Sequence, residues 1–107
     1  MSMESPRVVV RSEGDGVSVL VCSGEFDLDT AGVLRAACER ASAAEILVLD
    51  VAQVGFADST FLNLLLKLRK SRRLVLIGPL SEQLLRLLEM TGTLALFEIR
   101  ENAPEAP

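Results

Sequence analysis

The chain has 107 residues, half of them apolar, and its 11 Lys and Arg against 15 Asp and Glu leave a formal net charge of −4. That size fits one domain, which can bury roughly two-thirds of its unfolded surface and needs no metal or disulfide staple. No apolar run exceeds four residues, far short of the about 20 a membrane-spanning helix needs, and the start lacks the apolar stretch of a secretory signal, so direct membrane insertion is not expected and a cytoplasmic location is. His, Trp and Tyr are absent and Cys22 and Cys38 are the only cysteines, which excludes the usual zinc spacings and any His-based catalytic triad. The acidic balance argues against nucleic acid as a partner, because affinity for phosphate backbones comes from concentrated Lys and Arg.

Residues 7–12 and 17–23 are Val-rich and flank a segment, 13–16, that holds Gly14, Asp15 and Gly16; this pattern predicts a β-hairpin. From Asp29 or Thr30 to about Ala43, apolar residues at Ala31, Leu34, Ala37, Cys38 and Ala41 follow helical spacing. Cys22 lies in an apolar run and Cys38 among alanines, where a free thiol packs as a small hydrophobe. Residues 46–49 form a continuous apolar run closed by Asp50, as in the central strand of a mostly parallel sheet. A loop is expected over 51–58 and a helix over 60–71, with Ser59 as its N-cap and the cations of 67–73 at its C-terminus. A strand at 74–77 is stopped by Gly78 and Pro79, a helix runs from its cap at Ser81 through Met90 to Gly92, and a short strand is expected at 96–99.

The element order implies an N-terminal β-hairpin followed by right-handed βαβ units, giving an α/β domain with a mostly parallel sheet and its helices on one side. The domain is expected over residues 1–100, with a disordered tail at 101–107 that contains two Pro and no large apolar side chain.

Residues 54–66 are the most informative segment, because a strand, a loop and a helix start meet there. Ser59 reads either as a plain N-cap or as a phosphorylation site, where a phosphoryl group would meet the unpaired amides and positive end of the helix. Asp27 and Asp29 read equally as turn and cap residues or as residues facing a partner. On the following helix, Leu62, Leu65, Leu66 and Arg69 form one stripe and Phe61, Leu64 and Leu68 another. If the first is core, Phe61 and Leu64 are left on the surface beside Ser59 as an interaction patch; alternatively, one broad apolar face buries both.

The run Asp58, Ser59, Thr60, preceded by a strand and followed by a Leu-rich helix, resembles the phosphorylation loop of the STAS domain, the fold of bacterial anti-sigma factor antagonists. Gly24, Glu25, Phe26 and Asp27 with Thr30 and Ala31 resemble a second family segment, and Met90, Thr91 and Gly92 a third, in the same order. The resemblance implies a binding protein rather than an enzyme, with no cofactor or metal of its own. Its partners would be an anti-sigma factor that is itself a serine kinase, which brings ATP and magnesium, and a serine phosphatase. Ser59 would be the acceptor, Asp58 and Thr60 its immediate context, and Asp27 part of the docking edge. Phe61 and Asn63 stand where the family usually has small residues, the first of them Gly. Phe61 thus implies a bulky apolar contact with a different partner or reduced kinase access to Ser59, and favours the alternative below. The helical spacing above makes Phe61 and Leu64 candidate partner contacts. The family's last helix is missing or much reduced. An alternative is a STAS subunit of another complex, such as a membrane transport ATPase, that is never phosphorylated. A third possibility is an enzyme with a Cys22 or Cys38 nucleophile, which requires an accessible thiol of low pKa.

Overall fold

The computed structural model describes residues 5–12, 14 and 16–101. Glu13 and Asp15 of the expected hairpin turn, and the expected tail from residue 102 onward, lie outside the described residues. Strands β1 (Arg7–Ser12) and β2 (Val17–Phe26) pair antiparallel, and β2, β3 (Ile46–Ala57), β4 (Arg73–Ile77) and β5 (Glu98–Arg100) pair parallel in the order β1-β2-β3-β4-β5. Helices α1 (Ala31–Arg40), α2 (Ser59–Ser71) and α3 (Glu82–Met90) are the crossovers. Consecutive strand order with right-handed crossovers puts all three helices on one face, as the element order implies.

Strand alternation divides the core between the two faces. On the helical side, Leu20, Cys22, Leu47, Leu49, Leu74 and Leu76 pack with Leu34 of α1, Phe61 and Leu65 of α2 and Leu84 and Leu88 of α3. On the other side, Val17, Val19, Val48, Val75 and Ile77 form a second buried cluster.

Several element boundaries differ from the sequence reading, each for a physical reason. β2 continues three residues past Ser23 because register shifts around Ser23 and Gly24 let it bend without leaving β3. Gly24 has a left-handed φ of 93°, and a β-carbon there would overlap the carbonyl of Ser5. β3 does not end at Asp50 but continues to Ala57, so most of the expected loop is strand. Beyond Asp50 it pairs with β2 alone, and the shifted register breaks the alternation that marks a strand in sequence. α1 ends at Arg40, short of Ala43, where the Arg72 guanidinium donates to the carbonyls of Ala41 (2.9 Å) and Ala44 (3.3 Å). The expected strand at 96–99 is a 3-10 turn, Leu94–Leu96, followed by β5.

The cap of α3 is as expected, with the Ser81 hydroxyl accepting from Leu84 N at 3.2 Å. At its other end Gly92 takes φ 72° and Thr93 N donates back to Leu88 O at 2.9 Å.

Candidate functional site

Two loops leave the sheet side by side because β2 and β3 run parallel and end in register, Phe26 opposite Ala57. Asp58 N donates to Phe26 O at 3.1 Å and extends the ladder one step beyond β3. Ligands and partners of open α/β sheets favour this carboxyl edge.

The first loop, residues 27–30, is held by its own side chains. Asp27 Oδ1 accepts from Asp29 N (3.0 Å), Thr30 N (3.1 Å) and the Thr30 hydroxyl (3.0 Å), while Asp27 N donates to Thr30 Oγ1 at 2.9 Å. Asp27 therefore acts as the turn residue of this loop, and the N-cap position of α1 falls to Thr30. Its neighbour Leu28 points outward, 76% exposed.

At the second loop the N-cap of α2 is Asp58, which corrects the assignment of that role to Ser59. Asp58 Oδ1 accepts from Thr60 N at 2.9 Å and Phe61 N at 3.3 Å, and its Oδ2 accepts from Leu28 N at 3.2 Å. One carboxylate thus caps the helix and ties the two loops together, so both of its oxygens are engaged within the chain. Ser59, displaced to the first helical position, is exposed, and its hydroxyl makes no hydrogen bond with the described residues. Thr60 is half-buried.

Phe61 is not a surface contact, which corrects the expectation placed on it. It is fully buried with its ring 5.2 Å from that of Phe26 and tilted by 43°, a favourable aromatic arrangement. Leu64 is half-buried against the core. Of the two alternatives for α2, the broad apolar face is the one formed: Phe61, Leu62, Leu65 and Leu68 are all buried. The helix touches α1, β3 and β4, and that width of contact hides both stripes.

Sequence reasoning missed three residues at this edge. Leu28 gave no pattern because a single apolar residue in a polar turn is unremarkable. Phe56, 38% exposed, was assigned to a loop although it pairs with Glu25 across β2 and β3. Gln83 of α3 lies 26 residues from Ala57, yet its amide accepts from Ala57 N (2.9 Å) and donates to Ala57 O (2.7 Å). It replaces the ladder partner that β4, which ends at Ile77 opposite Asp50, does not provide.

Segments 24–34 and 54–66, which build this edge, contain Glu25, Asp27, Asp29 and Asp58 and no Lys or Arg. Glu25 Oε2 is buried without a hydrogen-bond partner. The cations of 67–73 lie at the opposite edge and are partly structural: besides Arg72, Arg69 Nε donates to Leu96 O (3.1 Å) and Arg73 forks onto Glu98 (2.8 and 3.1 Å). Glu98 also meets Arg100 at 2.6 Å, and the Arg73 hydrogen bond leads the effects that hold its carboxyl below the usual range.

Both thiols are buried. Burial, with Cys38 and Asp50 nearby, pushes Cys22 up to about 12, and burial raises Cys38 despite the opposing charge of Arg72. These are the settings of inert thiols rather than nucleophiles. Open grooves of about 410 Å³ beside α3 (Glu82, Gln83, Arg86, Leu87, Met90) and about 480 Å³ beside β5 (Gly78, Pro79, Ile99, Arg100, Glu101) include neither Ser59 nor Asp58. Among the described residues no cluster of His, Cys, Asp or Glu is placed to hold a metal ion, and no helix is long and apolar enough to cross a membrane.

Comparison with known proteins gives a consistent set of relatives. The family model described as "Mlab, STAS domain" matches residues 9–97. Proteins named anti-sigma-B factor antagonist from Listeria monocytogenes and Listeria innocua are each 38% identical over 93 residues, covering 80% of this chain and 80% of theirs. Among solved structures, an anti-sigma factor antagonist from Mycobacterium paratuberculosis superposes with a TM-score of 0.79 at 27% identity, over 92% of this chain and 87% of that one. The anti-sigma factor antagonist SpoIIAA in its unphosphorylated form superposes with a TM-score of 0.73 at 18% identity, over 88% of each chain, a likeness of fold.

Proposed function

The chain belongs to the STAS domain family, and on that footing we propose that it is an anti-sigma factor antagonist: a protein-binding switch that docks an anti-sigma factor and releases the sigma factor held by it. Binding is ended by phosphorylation of Ser59 and restored by a serine phosphatase. The anti-sigma factor is itself the kinase, so ATP and magnesium enter with the partner, and the cycle runs in the cytoplasm.

The observation that carries this reading is the state of Ser59. It is an exposed hydroxyl, without a hydrogen bond to the described residues, on the first turn of α2 at the edge where two fixed loops emerge. The first-turn amides of Thr60 and Phe61 are already taken by Asp58. A phosphoryl group on Ser59 Oγ therefore projects outward, adding about −1.5 to −2 charges to an acidic edge. The fold tolerates this charge at a helix N-terminus, while a docked partner meets new bulk and the cost of desolvating the added charge. Phe61 favours the alternative of an unphosphorylated subunit less once its ring is buried, because it neither screens the exposed Ser59 hydroxyl nor offers a surface contact to a different partner.

The test is mass spectrometry after incubation with ATP, magnesium and a purified anti-sigma factor kinase from the same genome. One added phosphate, absent in Ser59→Ala and accompanied by loss of kinase binding, is expected. Binding without phosphate transfer would leave only the constitutive partner-binding part of the reading.

A further inference from the structure

We propose that Leu28 is the apolar anchor by which this protein docks, that Asp58 is the residue positioning it, and that the partner surface it fits is an apolar socket rimmed by Lys or Arg. This rests on the reading of the chain as a partner-binding switch and names the contact that the switch controls.

Asp27 and Asp58 both lie at the expected docking edge, yet the bonds their carboxylates make lie within the chain. Phe61 is buried and Leu64 half-buried. Leu28 remains as the large apolar side chain that the loop beside Ser59 delivers to solvent.

Scattered exposed leucines are ordinary, but this one sits on an over-determined backbone. Its own N–H is held by Asp58 Oδ2, and the residues on either side are fixed through Asp27 Oδ1 and Thr30 Oγ1. A contact held in place before binding loses little conformational freedom on docking, which is how a small apolar group contributes usefully to affinity. Phe56 adds a second partly exposed apolar side chain at the end of β3.

The surroundings specify the rim of the socket. Residues 24–34 and 54–66, which form the edge, carry four acidic residues, Glu25, Asp27, Asp29 and Asp58, and no Lys or Arg. Lys or Arg around an apolar pocket would complement that charge. Asp58 links this contact to the switch, since it is the residue before Ser59 and holds Leu28 directly. A phosphoryl group on Ser59 lies beside the carboxylate on which the anchor hangs.

The experiment measures binding of the full chain to each purified anti-sigma factor kinase of its genome by calorimetry, at two salt concentrations, for wild type, Leu28→Ala, Leu28→Gln, Leu28→Met, Asp58→Asn and Leu28→Ala/Asp58→Asn. Leu28→Ala and Leu28→Gln are expected to weaken binding tenfold or more with melting temperatures near wild type, and Leu28→Met by less than threefold. The salt dependence of binding should survive in Leu28→Ala, because the acidic rim is intact. Asp58→Asn leaves one acceptor oxygen for three donors, so it should weaken binding, speed hydrogen exchange at the Leu28 amide, and add little once Leu28 is already Ala. Wild-type affinity in Leu28→Ala and Leu28→Gln would overturn the anchor, and full additivity in the double variant would overturn the positioning role. Failure of every kinase to bind the wild type would overturn the functional reading together with the anchor, and is distinguishable because no variant then differs from wild type.

Discussion

The rings of Phe26 and Phe61 meet 5.2 Å apart beneath the carboxyl edge of the sheet, one from the last residue of β2 and the other from the first turn of α2. The two elements that carry the loops are thus joined under the surface by an aromatic pair and above it by Asp58. Phe61→Ala should lower unfolding free energy by about 3–5 kcal/mol, and Phe61→Leu by less than about 1.5 kcal/mol. Urea denaturation checks this, and a loss below about 1 kcal/mol in Phe61→Ala would contradict the buried placement.

Asp58 and Ser59 separate by the same measurement. Asp58→Ala removes the cap and the tie to Leu28 and should cost about 1–2 kcal/mol. Ser59→Ala removes a hydroxyl with no hydrogen bond to the described residues and should stay within about 0.5 kcal/mol of wild type. The reverse ranking would restore Ser59 as the cap.

Gly24 and Gly92 both have left-handed φ, 93° and 72°, but only Gly24 faces a backbone atom. Gly92→Ala should cost about 1–2 kcal/mol for the conformation alone. Gly24→Ala should cost distinctly more, because the Ser5 carbonyl must move as well. Equal losses in thermal or urea unfolding would remove the close approach.

The cysteines give a pH dependence with a definite sign. In the unfolded chain the thiol of Cys22 ionises near its ordinary 9.0, and in the folded protein it keeps its proton to about 12. Above pH 9 the unfolded state therefore binds fewer protons, and stability, intact below that pH, falls as pH rises towards 12. By pH 11 Cys22 accounts for about 3 kcal/mol at most. Urea unfolding at pH 8, 10 and 11 should show this fall, with a flatter dependence in Cys22→Ala. Both native thiols should resist a disulfide labelling reagent at pH 8, and rapid labelling would reopen the nucleophile alternative.

The fold was legible where periodicity was clean. The hairpin strands, the three helices, the central place of β3 and the one-sided helices all follow from spacing and from the cap residues Ser81 and Gly92. Legibility failed over 24–26 and 51–57, where shifted register and the left-handed Gly24 break the alternation that marks a strand. The site was legible to the nearest residue only: Ser59 was found, but whether it or Asp58 caps α2 depends on a backbone torsion that two adjacent capping residues leave open. Phe61 was misplaced because one stripe on a helix does not reveal how many neighbours the helix has. Gln83 and Leu28 were invisible because their partners lie 26 and 30 residues away.

Asp27, Asp29 and Asp58 at the carboxyl edge and Lys67, Arg69, Lys70 and Arg72 towards the far end of α2 place opposite charges at the two ends of that helix. A basic partner approaching through solvent exerts a torque that turns the Leu28 loop towards it before contact. Under the proposed cycle, phosphate on Ser59 would make that end more negative, so the modified protein would still be drawn in and aligned although it no longer locks. The switch then acts on residence time and leaves the encounter rate unchanged or faster. Stopped-flow mixing at low salt would reveal this as a preserved association rate and a shortened lifetime, and a collapsed association rate would rule it out.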